Sequence, residues 1–526
     1  MNRAGGIRII VDTMTKDVSL VLTPAEANDE ETVLRRASSD LGMKRDRVKG
    51  IRYIRKSIDA RRSDIRINLL VRLFIDEDVK TVWKKTEFPF LDLSSPSVTV
   101  VGSGPAGLFA SLTLLEKGIR PVVLERGKDV HSRKVDCARL STKGELDEDS
   151  NYSFGEGGAG AYSDGKLFTR SLKRGDTFKV LSLFVQHGAD ESILYETHPH
   201  IGTDRLPRVI ENIRRTIIEH GGEVHFETKV TSLAMKDGTL TGVKTESGEF
   251  FPAPVILATG HSAKDVYRFL ERDGIRVEAK DTAVGVRIEH PQSLIDSMQY
   301  HSEKGRGLYL PPAAYSFVTQ TGGRGVYSFC MCPGGTVVPA ATENGRQVVN
   351  GMSSSSRSGK KANAAIVVQI RESDIPGGGI WKMLEWVESI EREAYIEGFR
   401  APSQRLGDFM AKRESSTLPV STYGPGCVSL DLYSILPGIV SSSLHSGLED
   451  FNRFTRGRFI TNEAIMLAAE TRTSAPVRIV RNERYMAAEG LYAVGEGSGY
   501  AGGIVSAAVD GTEGAKAAAE EIWKRN

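Results

Sequence analysis

Cysteine is scarce in this chain: Cys137, Cys330, Cys332 and Cys427 are the only four in 526 residues. So few thiols, so widely spaced, exclude a disulfide framework and fit a reducing compartment. Net charge is almost absent as well. Sixty-nine basic side chains against 67 acidic ones leave +2, so no global field marks the chain for nucleic acid or an acidic surface. No apolar run approaches the ~18 residues of a spanning helix, and Asp12 and Lys16 interrupt the apolar run near the N-terminus. Neither a membrane span nor a secretory leader is expected, and a cytoplasmic protein is the default reading. No P-loop and no nucleophilic triad pattern is present. Cys330-x-Cys332 lacks the second Cys/His pair that zinc requires, so no metal site is expected.

Glycine, by contrast, is abundant, with 54 residues gathered in loops where a large ligand can lie against backbone. The most informative stretch is 97–127, SVTVVGSGPAGLFASLTLLEKGIRPVVLERG. An apolar run over 98–101 predicts a buried parallel strand, and Leu108, Leu112 and Leu115 follow at helical spacing. A second apolar run over 121–124 ends in Glu125. Between strand and helix stands Gly102-x-Gly104-x-x-Gly107. The first glycine permits the tight turn, the second lets backbone approach a pyrophosphate, and the third lets helix and strand pack closely. Glu125, 23 residues beyond Gly102, is placed to accept from a ribose. The pattern is a dinucleotide-binding βαβ unit, and its physics leaves the identity of the dinucleotide open. It is also the only strand-coupled fingerprint in the chain, so no second, nicotinamide-binding domain is expected.

Residues 1–92 read as a small α+β module, with strands at 7–11, 48–55 and 65–74 and a helix over 24–41 capped by Thr23. A ferredoxin-like fold is the expectation. Its basic stretch, 44–72, suits RNA, but no aromatic pair at stacking distance in sequence accompanies it, and a packing module is the simpler reading.

The residues GSGPAG, followed by VVLERG, resemble the glutathione-reductase-type flavoproteins, which implies FAD. The loop NYSFGEGGAGAYSDGKLFTR, 151–170, sharpens the resemblance. It is similar to an uncharacterised bacterial family of FAD-dependent dehydrogenases, related to the aminoacetone-oxidase-like and geranylgeranyl-reductase-like flavoproteins. The resemblance covers about 95–526. It implies cofactor contacts from Gly102, Ser103, Gly104, Pro105, Ala106, Gly107, Glu125, Arg126 and Arg133, and from the S-D-G-K core, Ser163, Asp164, Gly165 and Lys166. Val230 matches a position that meets adenine in such proteins. A strand over 255–258 ends in Ala258-Thr259-Gly260, a second family mark. The third is Gly490 to Gly497 running into a helix after 499, with contacts implied from Gly495, Glu496, Gly502, Gly503 and Ile504. Many relatives carry Asp where this chain has Glu496.

The resulting expectation is an α/β protein: an N-terminal α+β domain (1–92), a Rossmann FAD-binding domain split into 93–280 and 455–526, and an inserted, mainly β substrate domain (281–454). Strands are expected at 282–289, 326–331 and 337–339, and a helix at 381–392. Cys330 and Cys332 read as structural thiols. His261 and His290, each just past a predicted strand, are the candidate proton carriers. Seven basic residues between 304 and 361 (Lys304, Arg306, Arg324, Arg346, Arg357, Lys360 and Lys361) suggest an anionic small-molecule substrate. The function read here is an FAD-dependent dehydrogenase, with NAD(P)H as a transient reductant. A flavin monooxygenase or oxidase, and an FAD-binding RNA-modifying or RNA-binding protein, are the competing readings. The oligomeric state is left open.

Overall fold

The computed structural model describes residues 14–169 and 175–525; the strand expected at 7–11 lies outside them. Strand Met14–Leu22 leads into Thr23, whose hydroxyl accepts from Glu26 N while the Glu26 carboxylate accepts from Thr23 N, a reciprocal cap. The single helix expected here is two, Pro24–Ala27 and Glu30–Asp40. Asn28 and Asp29 break it, short polar side chains that compete with the helix for backbone partners. Strand Arg66–Ile75 then lies between Met14–Leu22 and Val48–Asp59, antiparallel to both. Ile67, Leu69, Val71 and Leu73 point inward against Val33, Leu34 and Ala37 of the longer helix. This split β-α-β sheet is half of a ferredoxin-like sheet. The expectation is met only that far, because the next strand joins another sheet. Five arginines of the module are paired: Arg45 with Glu31, Arg47 with Asp76, Arg61 with Asp59, Arg66 with Asp64 and Arg72 with Asp17.

The βαβ unit forms as its pattern dictates, Ser97–Val101, Pro105–Glu116 and Arg120–Leu124. Its strands sit inside a six-stranded sheet ordered Met486–Ala488, Leu491–Ala493, Val255–Leu257, Ser97–Val101, Arg120–Leu124, Glu223–His225. All neighbours are parallel except the Met486–Ala488 edge. The last helix, Ile504–Arg525, packs against Pro105–Glu116 so closely that a Cβ on Gly511 would stand 2.1 Å from Ala106 O. A meander of Val230–Lys236, Thr239–Thr245 and Phe250–Pro252 extends this region.

Residues from 282 onward build a seven-stranded sheet, ordered Val318–Thr321, Arg324–Cys332, Lys361–Ile370, Thr282–Pro291, Ile465–Glu470, Ala401–Arg405, Cys427–Ser429. Its central strand, Thr282–Pro291, is buried along almost its whole length, and helix Gly438–Phe454 covers it with Val440, Leu444, Leu448 and Phe451. Ile465–Glu470 belongs to this sheet, so the chain returns to the six-stranded sheet later than a boundary at 455 would place it. Among the described residues no helix is long and apolar enough to cross a membrane.

His290 sits at the end of the central strand with no exposed surface, and it does not line the cavity at the six-stranded sheet. Its Nε2 lies 2.9 Å from Phe459 O and its ring 4.6 Å from the Phe459 ring. The strand does not stop at the sheet edge but runs on into the aromatic cluster of Tyr315, Phe317, Phe451 and Phe459. His290 is therefore a core residue, not a proton carrier. Burial pulls its pKa down to about 4. The unfolded chain then binds a proton near pH 6.5 that the folded one refuses until about 4. Stability should fall across that window as pH drops, by roughly 3 kcal/mol in the limit. The difference in thermal midpoint between wild type and His290→Asn, measured from pH 7 to 4, should shrink steadily.

Candidate functional site

The carboxyl ends of the parallel strands open onto a long cavity that reaches across to the seven-stranded sheet. Its floor is the first turn, Gly102, Gly104, Pro105 and Ala106, with Glu125 and Arg126 from the next strand end. Ser163, Asp164, Gly165 and Lys166 of the glycine loop, Val230, and Ala258, Thr259, Gly260 and His261 form one side. Glu496, Gly502, Gly503 and Ile504 close the end at the last helix. Three sequence marks separated by hundreds of residues thus meet in one place.

Four expected contact residues stand behind the wall instead. Ser103 donates through N and Oγ to Glu125 Oε2, at 2.9 and 2.7 Å. Gly107 serves packing, since a Cβ there would lie 1.8 Å from Gly102 O. Gly495 N donates to Asp510 Oδ2 at 2.7 Å, and Arg481 holds that carboxylate from the other side. Arg133 is fully buried beneath the glycine loop, donating to Asn151 O at 2.7 Å and to Glu156 O at 2.7 Å. One turn into helix Val130–Lys143, it is aimed under the loop rather than into the cavity. Sequence reasoning missed Asp510; its only signal was a lone acid in a helix run of small apolar residues.

Glu125 lines the cavity as expected, and it has a second role. Besides Ser103 it accepts from Gly127 N at 3.0 Å and Gly155 N at 3.1 Å through Oε1. Four protein donors thus converge on one carboxylate that is 5% exposed. The glycine loop is also locked to the far sheet's loops. Asp164 is gripped by Arg357, whose Nε lies 2.9 Å from Oδ1, and by Lys166 Nζ at 3.2 Å. Burial alone would raise the Asp164 pKa, but Lys166 and Arg357 outweigh it and hold it at about 2.

The seven basic residues expected to gather an anion do not line the cavity. Arg306 pairs with Asp296, Arg324 with Asp374, Arg346 with Glu343 and Glu388, and Arg357 with Asp164. Among the described residues the lining cations are instead Arg126, Lys166 and Arg472. Arg472 is itself bound to Glu391, 3.1 Å from Nε to Oε1, in a buried network that includes Lys264 at 2.8 Å. His261 is 8% exposed. Its Nδ1 lies 3.5 Å from Glu496 Oε2, and its Nε2 is buried against the cavity without a hydrogen-bond partner. Cys330 lines the cavity half-buried, whereas Cys332 is buried behind it.

The wall fits a nucleotide cofactor. Gly260 and Gly502 both face the cavity, and an added Cβ at either would meet no protein atom within 4 Å. Protein packing does not demand glycine there, and the missing side chains leave room for an occupant to lie against backbone. Helix Pro105–Glu116 begins at the cavity with Gly104 as a cap that has no side chain to offer, leaving its first N–H groups for an anion.

Comparison with known proteins agrees. Residues 95–135 match the model of an FAD binding domain, and residues 281–473 match that of an FAD-dependent protein, C-terminal domain-like. Residues 14–74 match a domain of unknown function. An uncharacterized protein of Clostridium beijerinckii is 39% identical over 509 residues, spanning 92% of this chain and 95% of its own. The chain belongs to this FAD-dependent family. Its chemistry is accordingly that of an FAD-dependent oxidoreductase. Solved structures with partial likeness include tetracycline destructase Tet(55), at 12% identity, 82% of each chain and a TM-score of 0.35. A geranylgeranyl bacteriochlorophyll reductase-like protein of Thermoplasma acidophilum shares 12% identity over 82% of this chain and 80% of its own, with a TM-score of 0.38. Scores this low decide nothing about activity.

Two substitutions separate holding the cofactor from holding the fold. Gly502→Val adds a side chain into open cavity, so the apoprotein should keep its melting temperature while FAD per chain falls towards zero. Glu125→Ala strands three backbone N–H groups, about 1–3 kcal/mol each, and should lower the apoprotein midpoint as well as FAD content.

Proposed function

We propose that this flavoprotein is a dehydrogenase of a small organic molecule, with His261 as the group that accepts the substrate proton. The observation that carries the reading is the unpartnered, buried Nε2 of His261 on the cavity wall. Glu496, on the Nδ1 side, favours the tautomer with hydrogen on Nδ1, which leaves the buried Nε2 lone pair without a partner. A base so placed can take a proton from an O–H, N–H or acidic C–H.

The residues that would hold FAD are Gly102, Gly104, Pro105 and Ala106 at the pyrophosphate, and Glu125, Arg126 and Val230 at the adenosine end. Ser163 to Lys166, Ala258 to Gly260, Glu496 and Gly502 to Ile504 would hold the remainder. When bound, FAD supplies two-electron redox chemistry. The protein's part is to orient the substrate, exclude water and hold the proton at His261 Nε2. An anionic group on the substrate would meet Lys166 or Arg472. NADH or NADPH as reductant belongs to the same proposal, binding transiently because the chain carries one dinucleotide fingerprint.

The test is anaerobic bleaching of the bound flavin across a panel of small alcohols, amines and acids, with wild type and His261→Asn. With the hit compound the variant should keep its FAD and its reduction by dithionite, yet slow substrate-driven bleaching by about 10²–10⁴-fold. Unchanged bleaching in the variant would remove His261 from the mechanism. Bleaching by NADPH alone, followed in air by a hydroxylated product, would replace the dehydrogenase with a monooxygenase.

A further inference from the structure

Cys330 and Cys332 are not ordinary strand thiols. In a regular strand, residues two apart lie some 6–7 Å from one another, too far for sulfur contact. Here the register of strand Arg324–Cys332 against Lys361–Ile370 slips between Phe329 and Cys332, an extra residue in the ladder. Cys330 takes up the slack in the left-handed region, at φ +43°, where non-glycine residues are uncommon. The bulge folds the two residues against each other, and Cys332 Sγ donates to Cys330 O at 3.4 Å.

The two are unequal in access. Cys330 faces the cavity and Cys332 is buried behind it. Across from them stands the Lys166 Nζ, ion-paired with Asp164 at 3.2 Å, and its charge also acts on both sulfurs. Arg287, fully buried, donates to Cys330 O at 3.3 Å. The Cys332 thiol and these two cations hold the Cys330 thiol well below its ordinary pKa, whereas burial pushes Cys137 up to about 11 and raises Cys427. A half-buried cysteine on the cavity wall, in an electropositive niche and with a second cysteine folded against it, is the arrangement of an attacking and a resolving cysteine.

We propose that Cys330 and Cys332 are a redox-active dithiol that exchanges with a small-molecule disulfide admitted to the cavity. The Cys330 thiolate attacks one sulfur of R–S–S–R. A Cys330–S–S–R bond forms, the substrate S–S bond breaks, and RS⁻ leaves to take up a proton. Cys332 then gives up its proton and attacks the Cys330 sulfur. The mixed disulfide breaks, the second RS⁻ leaves with that proton, and Cys330–Cys332 is closed. The cysteines lose two electrons and the substrate disulfide gains them, so no further oxidant is required. This activity stands apart from the proton chemistry at His261 and survives its failure.

The test uses the full chain with its flavin content recorded, bis(2-hydroxyethyl) disulfide as probe, and peptide mass after alkylation of free thiols under denaturing conditions. Wild type should lose two hydrogens in the Cys330–Cys332 peptide, with Cys137 and Cys427 still alkylated. Cys332→Ser should trap a mercaptoethanol adduct on Cys330. Lys166→Met should slow that trapping about tenfold or more. Cys330→Ser should leave Cys332 unreacted. Failure of wild type to form the bridge, adducts as fast at Cys137 as at Cys330, or reaction of Cys332 in Cys330→Ser at the wild-type rate would each overturn the proposal.

Discussion

A single buried carboxylate holds the site together. Among the described residues Glu125 pairs with no cation; neutral donors from three separate segments satisfy it, Ser103 from the first turn, Gly127 from the strand end and Gly155 from the glycine loop. Burying a charge in this way is tolerable only if every acceptor position is filled, and here four are. The geometry of the cavity floor follows from that convergence. Arg133 repeats the arrangement with the sign reversed, one buried guanidinium meeting backbone carbonyls of the same loop. A loop containing five glycines between 155 and 165 has little preference of its own. These two side chains supply the preference.

The far wall is joined by charge rather than by apolar packing alone. Asp164 with Lys166 and Arg357 links the glycine loop to the loops of the seven-stranded sheet. Lys264, Glu391 and Arg472 tie the segment after the Ala-Thr-Gly strand to the helix Lys382–Glu393 and the return of the chain. Buried pairs of this kind add little net stability, but breaking one leaves an uncompensated charge. Their worth here is positional. They set the spacing between the nucleotide side and the wall that carries Cys330 and Glu470.

Local chemistry was legible in the sequence and distant pairing was not. The βαβ unit, its glycine turn and the Thr23 cap depend on neighbours a few residues away, and each forms as read. The Asn28–Asp29 break is equally local, though the reading passed over it. Arg324 and Arg357 look like free cations in sequence because Asp374 and Asp164 lie 50 and 193 residues away. The two histidines show the same limit. His261 follows a strand that stops at the cavity, while His290 follows one that runs on into an aromatic core. Cys332 reads as a structural thiol in the sequence, but the bulge that sets Cys330 against it belongs to the pairing of two strands and has no signature in either alone.

The central claim is that this cavity is built for a whole dinucleotide, gripped at both ends. Titration of the apoprotein by calorimetry with FAD, FMN and NAD⁺ tests it most directly. The account predicts saturation at one FAD per chain, with FMN far weaker because it never reaches Glu125 and Val230. NAD⁺ should not displace FAD. FMN binding as tightly as FAD, or no FAD binding by folded apoprotein, would contradict it.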